Sequence, residues 1–447
     1  MRILGHIFYR YLWISFNSVL FYFYRYSPKK HTEGMYRIPE DRPVLFCSNH
    51  PNAFMDALVL GSSIRRRTWF LARSDVFRKK RIAKILSFIG IIPIYRLQEG
   101  VENLSKNDET FEKCARLLEQ DKAILLFSEG LCIQERRLRK LRKGTARIAF
   151  SSEEQNNWKL KLTIVPVGIN YSETPWKFRK PVFIHFGEPY AVNIYEDLYR
   201  KDKPKAMNQF TNELEDKMKS LLVIIEDPQN DFLVAALEEI LIPEWASATE
   251  VNPRNQKDTF VFSKKIAGFV NDLQRHSPGN AETLRKKVAE YADLVRRNNL
   301  RDWLVRKEKI SAANLTGDLL VFILGFGISL FGILTNYFPY KIPWLIQKKI
   351  VRNIEWSASV NATLAVFLWQ FYWLLQSAIF GLIVRDWFLL AGFMLAVPLC
   401  GMFAQWYWVR LKKFTGKIRW NRLSKKFQEE LVGMRKEIVE QYDIETQ

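Results

Sequence analysis

From about residue 36 to 190, short apolar runs alternate with amphipathic stretches. "VLFCS" (44–48), "AILLF" (123–127), "LTIVPVGI" (162–169) and "VFIHFG" (182–187) are rich in branched or aromatic residues and bounded by turn formers, as strands are. Between them, "NLSKNDETFEKCARLLEQ" (103–120) repeats Leu104, Phe111, Leu117 and Leu118 on one helical face. Strand and helix in alternation predict an α/β domain over residues 31–226 with a largely buried mixed sheet. Residues 206–226 give another amphipathic helix, which "DPQNDF" breaks. Residues 227–312 then show only helical patterns and loops, with Pro243, Pro253 and Pro278 among them, predicting an all-helical segment.

The pattern changes character after residue 312. Residues 319–338, 362–384 and 387–409 contain no charged side chain, and such runs are long enough to cross about 30 Å of hydrocarbon. They predict a C-terminal transmembrane helical block, residues 313–410, followed by a basic helical tail, 411–447. From 410 to 426 the chain has eight basic residues and no acidic one. The connection 339–361 carries Lys341, Lys348, Lys349 and Arg352 against Glu355, while Arg385 and Asp386 alone separate the last two runs. Three crossings would put the basic tail opposite the α/β domain, against the positive-inside bias. The preferred expectation is therefore that 319–338, with Gly325, Gly327 and Gly332, dips in and returns, while 362–384 and 387–409 span. A spanning 319–338 is the alternative. At the other end, His6 and Arg10 interrupt the apolar stretch 3–24 and no small-residue cleavage site follows. Residues 1–30 are expected to form an interfacial membrane-anchoring helix instead of a signal peptide. A helix packed on the protein is the other reading.

Composition sharpens this. In 447 residues, 68 Lys and Arg against 47 Asp and Glu give a net charge of +21, which calls for an anionic partner. The charge-free runs decide for membrane phospholipid and against nucleic acid. Cys47, Cys114, Cys132 and Cys400 show neither paired spacing nor histidine companions, so no disulfide framework, no metal site and no cofactor is expected.

The candidate chemistry begins in "SNHPNAFMDALVL" (48–60), just after the first strand. An imidazole fixed by a carboxylate is the usual device for drawing a proton off a hydroxyl. Asp56, in the first turn of the helix after His50, is the nearest acid, with Pro51 and Asn52 supplying turn and cap. A capping aspartate beside an unrelated loop histidine stays open on these residues alone. Further on, "GIIPIYR" (90–96) ends in Arg96, "LLFSEG" (125–130) ends in Glu129 and Gly130, "LRKGTARIAF" (141–150) puts Lys143 and Gly144 at a helix start, and Pro166 sits inside a strand. An arginine fork and a helix N-terminus both suit phosphate. Each also has a structural reading: Gly130 a turn, Pro166 an edge-strand residue, Lys143 a solvated cation. Cys47 is close enough to His50 to raise a thiol nucleophile. His185 in a strand is expected to be packed, and His6, His31 and His276 to lie at the surface.

In their order and intervals these pieces resemble the glycerolipid acyltransferase family, which includes glycerol-3-phosphate and 1-acylglycerol-3-phosphate acyltransferases. "NHPNAFMD" is similar to its His and Asp block, "GIIPIYR" to its Gly to Arg block, "FSEG" to its Phe-Pro-Glu-Gly block and "VPVGI" to its Pro block. The resemblance covers residues 1 to about 220; "VAEYADLVRRNNLRDWLV" and the late apolar runs look like the longer, fungal-type glycerol-3-phosphate acyltransferase branch and its bacterial relatives. It implies an α/β acyltransferase domain in which His50 is the general base and Asp56 orients it. The acceptor hydroxyl attacks a thioester directly, with no acyl-enzyme. It further implies that Arg96, Glu129 and Gly130 line a glycerol-phosphate pocket and that Pro166 shapes the acyl side. Lys143, with Arg136, Arg137 and Arg139, would supplement phosphate binding. The donor would be acyl-ACP or acyl-CoA, and the catalytic domain would face the cytoplasm. Two departures stand out. Five residues, "PNAFM", separate His50 from Asp56 where the family usually has four, and the third block has Ser128 for Pro, then Leu131 and Cys132 where Thr and Arg are common. Competing readings are an acceptor that is a lyso-phospholipid or an acylated amino acid, and a non-catalytic, basic, membrane-anchored binding protein.

Overall fold

The computed structural model describes residues 10–21 except 12 and 19, then 28–95, 105–171, 182–253, 255–307, 310–351 and 356–446. The chain divides into two compact units, residues 1–224 with 353–359, and residues 225–352 with 360–447.

The first unit is an α/β domain. Its described strands are β1 (Thr32–Glu33), β2 (Val44–Ser48), β3 (Thr68–Arg73), β4 (Ile91–Ile94), β5 (Ala123–Phe127), β6 (Thr163–Tyr171), β7 (Val182–Phe186) and β8 (Tyr190–Ala191). They form one mixed sheet in the order β1-β7-β6-β2-β5-β3-β4, with β8 paired to β6. β2 runs parallel to both β5 and β6, and β7 is antiparallel to β6. The main helices are α1 (Ala53–Ser63), α2 (Lys80–Phe88), α3 (Lys106–Leu118), α4 (Gly144–Gln155) and α5 (Lys203–Ser220). Every residue of β2 is buried, which is why "VLFCS" shows no alternation. Helices α3, α4 and α5 close the core over Leu45, Ile124 and Ile164, with Phe150 and Phe210 in edge contact.

Two features differ from expectation. The segments "TWFLAR" and "IIPI" are strands: β3 buries only Thr68 and Leu71, and β4 is the last strand in the order, where Pro93 costs no central ladder bond. Pro166, by contrast, is not in an edge strand. It lies in β6 opposite Cys47 of β2. Its carbonyl accepts the Gly187 N–H at 2.8 Å, so its nitrogen faces the same side. There β6 passes from pairing with β8 through Ile164 to pairing with β7 from Val167, and the missing N–H falls in that gap.

The second unit is helical: α6 (Asp231–Ala248), α7 (Gln256–His276), α8 (Pro278–Arg297), α9 (Asp302–Lys307), α10 (Ala312–Ile350), α11 (Ser357–Val384, whose first turn groups with the first unit), α12 (Trp387–Arg422) and α13 (Lys425–Thr446). α13 is packed back among α6 to α9. Arg435, 7% exposed, bonds Asp302 Oδ1 at 2.9 Å, Glu244 Oε1 at 2.7 Å and the Ile240 carbonyl at 2.9 Å. Tyr291 donates to the same Asp302 at 2.7 Å.

Residues 319–338 do not fold back. They sit within one unbroken helix of 39 residues, about 58 Å at 1.5 Å per residue. The glycines have another use. A Cβ on Gly332 would stand 2.1 Å from the Cys400 carbonyl oxygen, and one on Gly325 2.8 Å from Phe403, so they let α10 and α12 approach. Asp318, near the start of α10, bonds Arg410 at 2.8 Å and Lys417 at 2.7 Å near the end of α12. The two helices are therefore antiparallel, and the chain returns to the bundle it left. Among the described residues, three helices, α10, α11 and α12, are long and apolar enough to cross a membrane.

Gly332→Ala is expected to cost about 1–3 kcal/mol through overpacking. Gly327, with open space around its Cβ position, should gain up to about 1 kcal/mol of helix propensity as Ala. Thermal unfolding of the two detergent-solubilised variants by circular dichroism should move in opposite directions.

Candidate active site

The site forms at the C-terminal ends of β2 and β5. Asn49, immediately after β2, locks the loop to β6: its amide donates to the Ile169 carbonyl at 3.0 Å and accepts the Ile169 N–H at 2.8 Å. His50 follows. Its ring stacks on Phe127 at 3.8 Å and 11°, and its Nδ1 lies 2.9 Å from Asp56 Oδ2. Asp56 is 0% exposed and accepts two further bonds, from the Asn52 N–H at 2.7 Å and from the Tyr171 hydroxyl at 2.8 Å. A carboxylate so placed calls for a proton on Nδ1, which leaves Nε2 as the imidazole's basic nitrogen. The His50 side chain is 19% exposed, so a substrate can reach the ring.

The surplus residue between His50 and Asp56 is taken up in the backbone. Asn52 has φ −142°, ψ 50° and Ala53 has φ +40°, a left-handed conformation rare for a residue with a Cβ. Asn52 does not cap α1 with its side chain. Instead, the Met55 N–H is held by Ser359 Oγ at 2.8 Å, and that hydroxyl lies 3.4 Å from the Asn52 carbonyl. The Ala53 N–H points at Cys132 Sγ, 2.9 Å away.

Glu129 is a clasp, not an open ligand. One carboxylate oxygen accepts the His50 N–H at 2.9 Å and the other the Arg139 N–H at 3.0 Å. Burial raises its pKa above the usual carboxylate range, and those two backbone bonds, with the charges of His50 and Arg139, pull the other way. Gly130 turns with φ +68°, and a Cβ there would meet Arg142 Cγ at 3.0 Å. Ser128, where proline was expected, receives the Thr145 hydroxyl at 3.2 Å in the first turn of α4. The loop to α4 is hooked to the site by the Ile133 N–H on the His50 carbonyl at 3.3 Å. It carries Arg137 and Arg139, both on Glu135 at 3.0 and 2.7 Å, and ends in exposed Lys143 at the N-cap of α4.

His50, Asp56 and Glu129 are thus one hydrogen-bonded group, and Gly130 and Lys143 bound the loop attached to it. Pro166 is buried in the neighbouring strand. Arg96 lies outside the described residues. Cys47 is excluded as a nucleophile, being 0% exposed with its thiol pushed far up by burial. Among the described residues no group of His, Cys, Asp and Glu could hold a metal ion. Sequence reasoning missed Tyr171 and Ser359, 115 and 304 positions from the groups they bind. Tyr171 had one signal, its place at the end of the "VPVGI" strand.

Ser359→Ala removes a cap, a loss of about 1 kcal/mol. Exchange of the Met55 amide should then quicken roughly fivefold by hydrogen-exchange mass spectrometry, and Ser359→Thr should restore it.

Residues 29–170 match the family model described as Acyltransferase. Among solved structures, the chain is similar to the 1-acyl-sn-glycerophosphate (LPA) acyltransferase of Thermotoga maritima at 18% identity, covering 41% of this chain and 71% of that one with a TM-score of 0.27. No curated protein matches the chain. The segment matched by that family model holds His50, Asp56 and Glu129.

Proposed function

We propose that this protein is a membrane-bound enzyme that moves a fatty acyl group from acyl-ACP or acyl-CoA to a hydroxyl of glycerol 3-phosphate or 1-acylglycerol 3-phosphate. The observation that carries this reading is the His50–Asp56 pair, 2.9 Å apart within an acyltransferase domain. The acceptor hydroxyl gives its proton to His50 Nε2 as its oxygen attacks the thioester carbonyl. Asp56 accepts the Nδ1–H and steadies the imidazolium. When the tetrahedral intermediate collapses, the thiolate leaves and takes that proton, so no acyl-enzyme forms. The cationic loop 136–143 and Arg96 would hold the acceptor phosphate, and Pro166 would set the acyl side. For Arg96 the support is the sequence resemblance alone.

Membrane residence is supported by the three long apolar helices. The bundle α6 to α9 precedes α10, and α13, which packs into it, follows α12. An even number of crossings is the arrangement consistent with that packing. The basic residues from 410 to 426 favour the cytoplasmic side for this end, and for the catalytic domain with it.

His50→Ala should lower kcat/KM for acyl transfer about 100- to 10,000-fold and should also lower Tm, because the buried Asp56 loses one of its three donors; full residual activity in isolated membranes would reject the mechanism. Arg96→Ala should raise KM for a phosphate acceptor, and an unaltered KM would point to a lyso-phospholipid or acylated amino acid without that contact. For topology, Glu440→Cys should resist a membrane-impermeant maleimide in intact cells, against the unsubstituted chain as background. Labelling from outside would refute the cytoplasmic placement of this end.

A further inference from the structure

The helix α2 connects two parallel strands, β3 and β4. In such a unit the crossover helix ordinarily buries an apolar stripe against the sheet. Here none of its nine residues is buried. Ala83 and Leu86 are half-covered, while Ile82, Ile85 and Phe88, three apart along one edge, are 42%, 59% and 47% exposed. Val76, just before the helix, is 37% exposed. The apolar stripe is wider than the sheet can cover.

The charges along the helix have one sign, and the nearest acid in sequence, Asp75, is paired with Arg73. Arg78, Lys79, Lys80, Arg81 and Lys84 are all exposed, and no acidic residue occurs from Val76 to Tyr95. An apolar protein groove would give these cations no partner. A nucleic acid would leave three large apolar side chains in water. A bilayer interface satisfies both, since its phosphates meet the cations and its acyl boundary takes the stripe.

We propose that α2 lies on an anionic phospholipid surface, with Ile82, Ile85 and Phe88 in the acyl boundary and the five cations among the headgroups. This contact is separate from the long apolar helices of the second unit, and it stands whether or not the acyl-transfer reading holds. It also explains the sequence of the crossover: a helix built to cover a sheet has no use for isoleucine and phenylalanine on its outer edge. β4 begins three residues beyond the helix, so the strand leading to Tyr95 and Arg96 would start at headgroup level.

The test uses the full chain in proteoliposomes, with a polarity-sensitive fluorophore on Ile85→Cys, the same label on Lys84→Cys, and the labelled unsubstituted chain as background. Vesicles are phosphatidylcholine with or without phosphatidylglycerol, and carry lipids brominated near the carbonyl end of the acyl chain. The expected result is blue-shifted emission at position 85, mostly lost to the brominated lipid, with position 84 open to aqueous iodide. Phosphatidylglycerol should strengthen the quenching, and high salt should reverse that gain. Water-like emission at 85 would overturn the proposal. So would a blue shift without lipid quenching, because protein would then cover the face. Quenching indifferent to phosphatidylglycerol would overturn the role given to the cations.

Discussion

The structure of the site depends on one buried carboxylate. Asp56 has no exposed surface, and an ionised group in that position is tolerated only when its lone pairs are met by donors. It meets three: the His50 ring, the Asn52 N–H and the Tyr171 hydroxyl. Each donor comes from a different piece of backbone, the loop after β2, the entry to α1 and the end of β6. Satisfying the charge therefore fixes where those pieces meet, and the imidazole is aimed as a consequence. The left-handed Ala53 is the conformational cost of that arrangement. An extra residue in the loop has been folded away without moving the carboxylate from the ring.

The parts of this that were legible in the sequence are those whose cause is local. β2 and β5 could be read because strands buried on both faces are continuous apolar runs. The His50–Asp56 pair was legible because six positions separate its members. β3 was missed because three arginines precede it and only Thr68 and Leu71 are buried, leaving too little pattern to recognise. Tyr171, Ser359 and the clasp of Glu129 are products of the fold, since their partners lie 115, 304 and 79 positions away. The glycines of 319–338 show a different limit. Small residues in an apolar run tell that something approaches closely, but not whether it is a returning chain or another helix. Here it is α12, arriving after two intervening segments.

The excess of positive charge divides into distinct uses. Arg410 and Lys417 neutralise Asp318, and Arg435 is consumed by Asp302 and Glu244, so those cations hold helices together. Such buried pairs gain little net stability over apolar contacts, yet they penalise any register that leaves one charge alone. That is a reason for antiparallel α10 and α12 to settle in one alignment on an otherwise featureless apolar surface. In the loop before α4, Arg137 and Arg139 are held by Glu135, while Lys143 and the cations of α2 remain at the surface. They are the ones that long-range attraction to an anionic surface or substrate would use.

Glu129 shows what this positioning does to stability. A salt-bridged carboxylate with a lowered pKa stabilises the fold at neutral pH and loses that contribution in acid. Glu129 is raised instead, because burial outweighs its two backbone bonds. Its folded form therefore binds a proton more readily than the unfolded chain does. The sign follows: stability from this group is greatest below the unfolded carboxylate pKa, declines as pH rises toward the folded value, and stays at its lower level above it. At neutral pH the ionised clasp is thus a net cost to folding. Yet the ionised form is the better acceptor for the His50 and Arg139 N–H groups, so the pH range in which His50 is held most firmly is the one in which Glu129 stabilises the protein least.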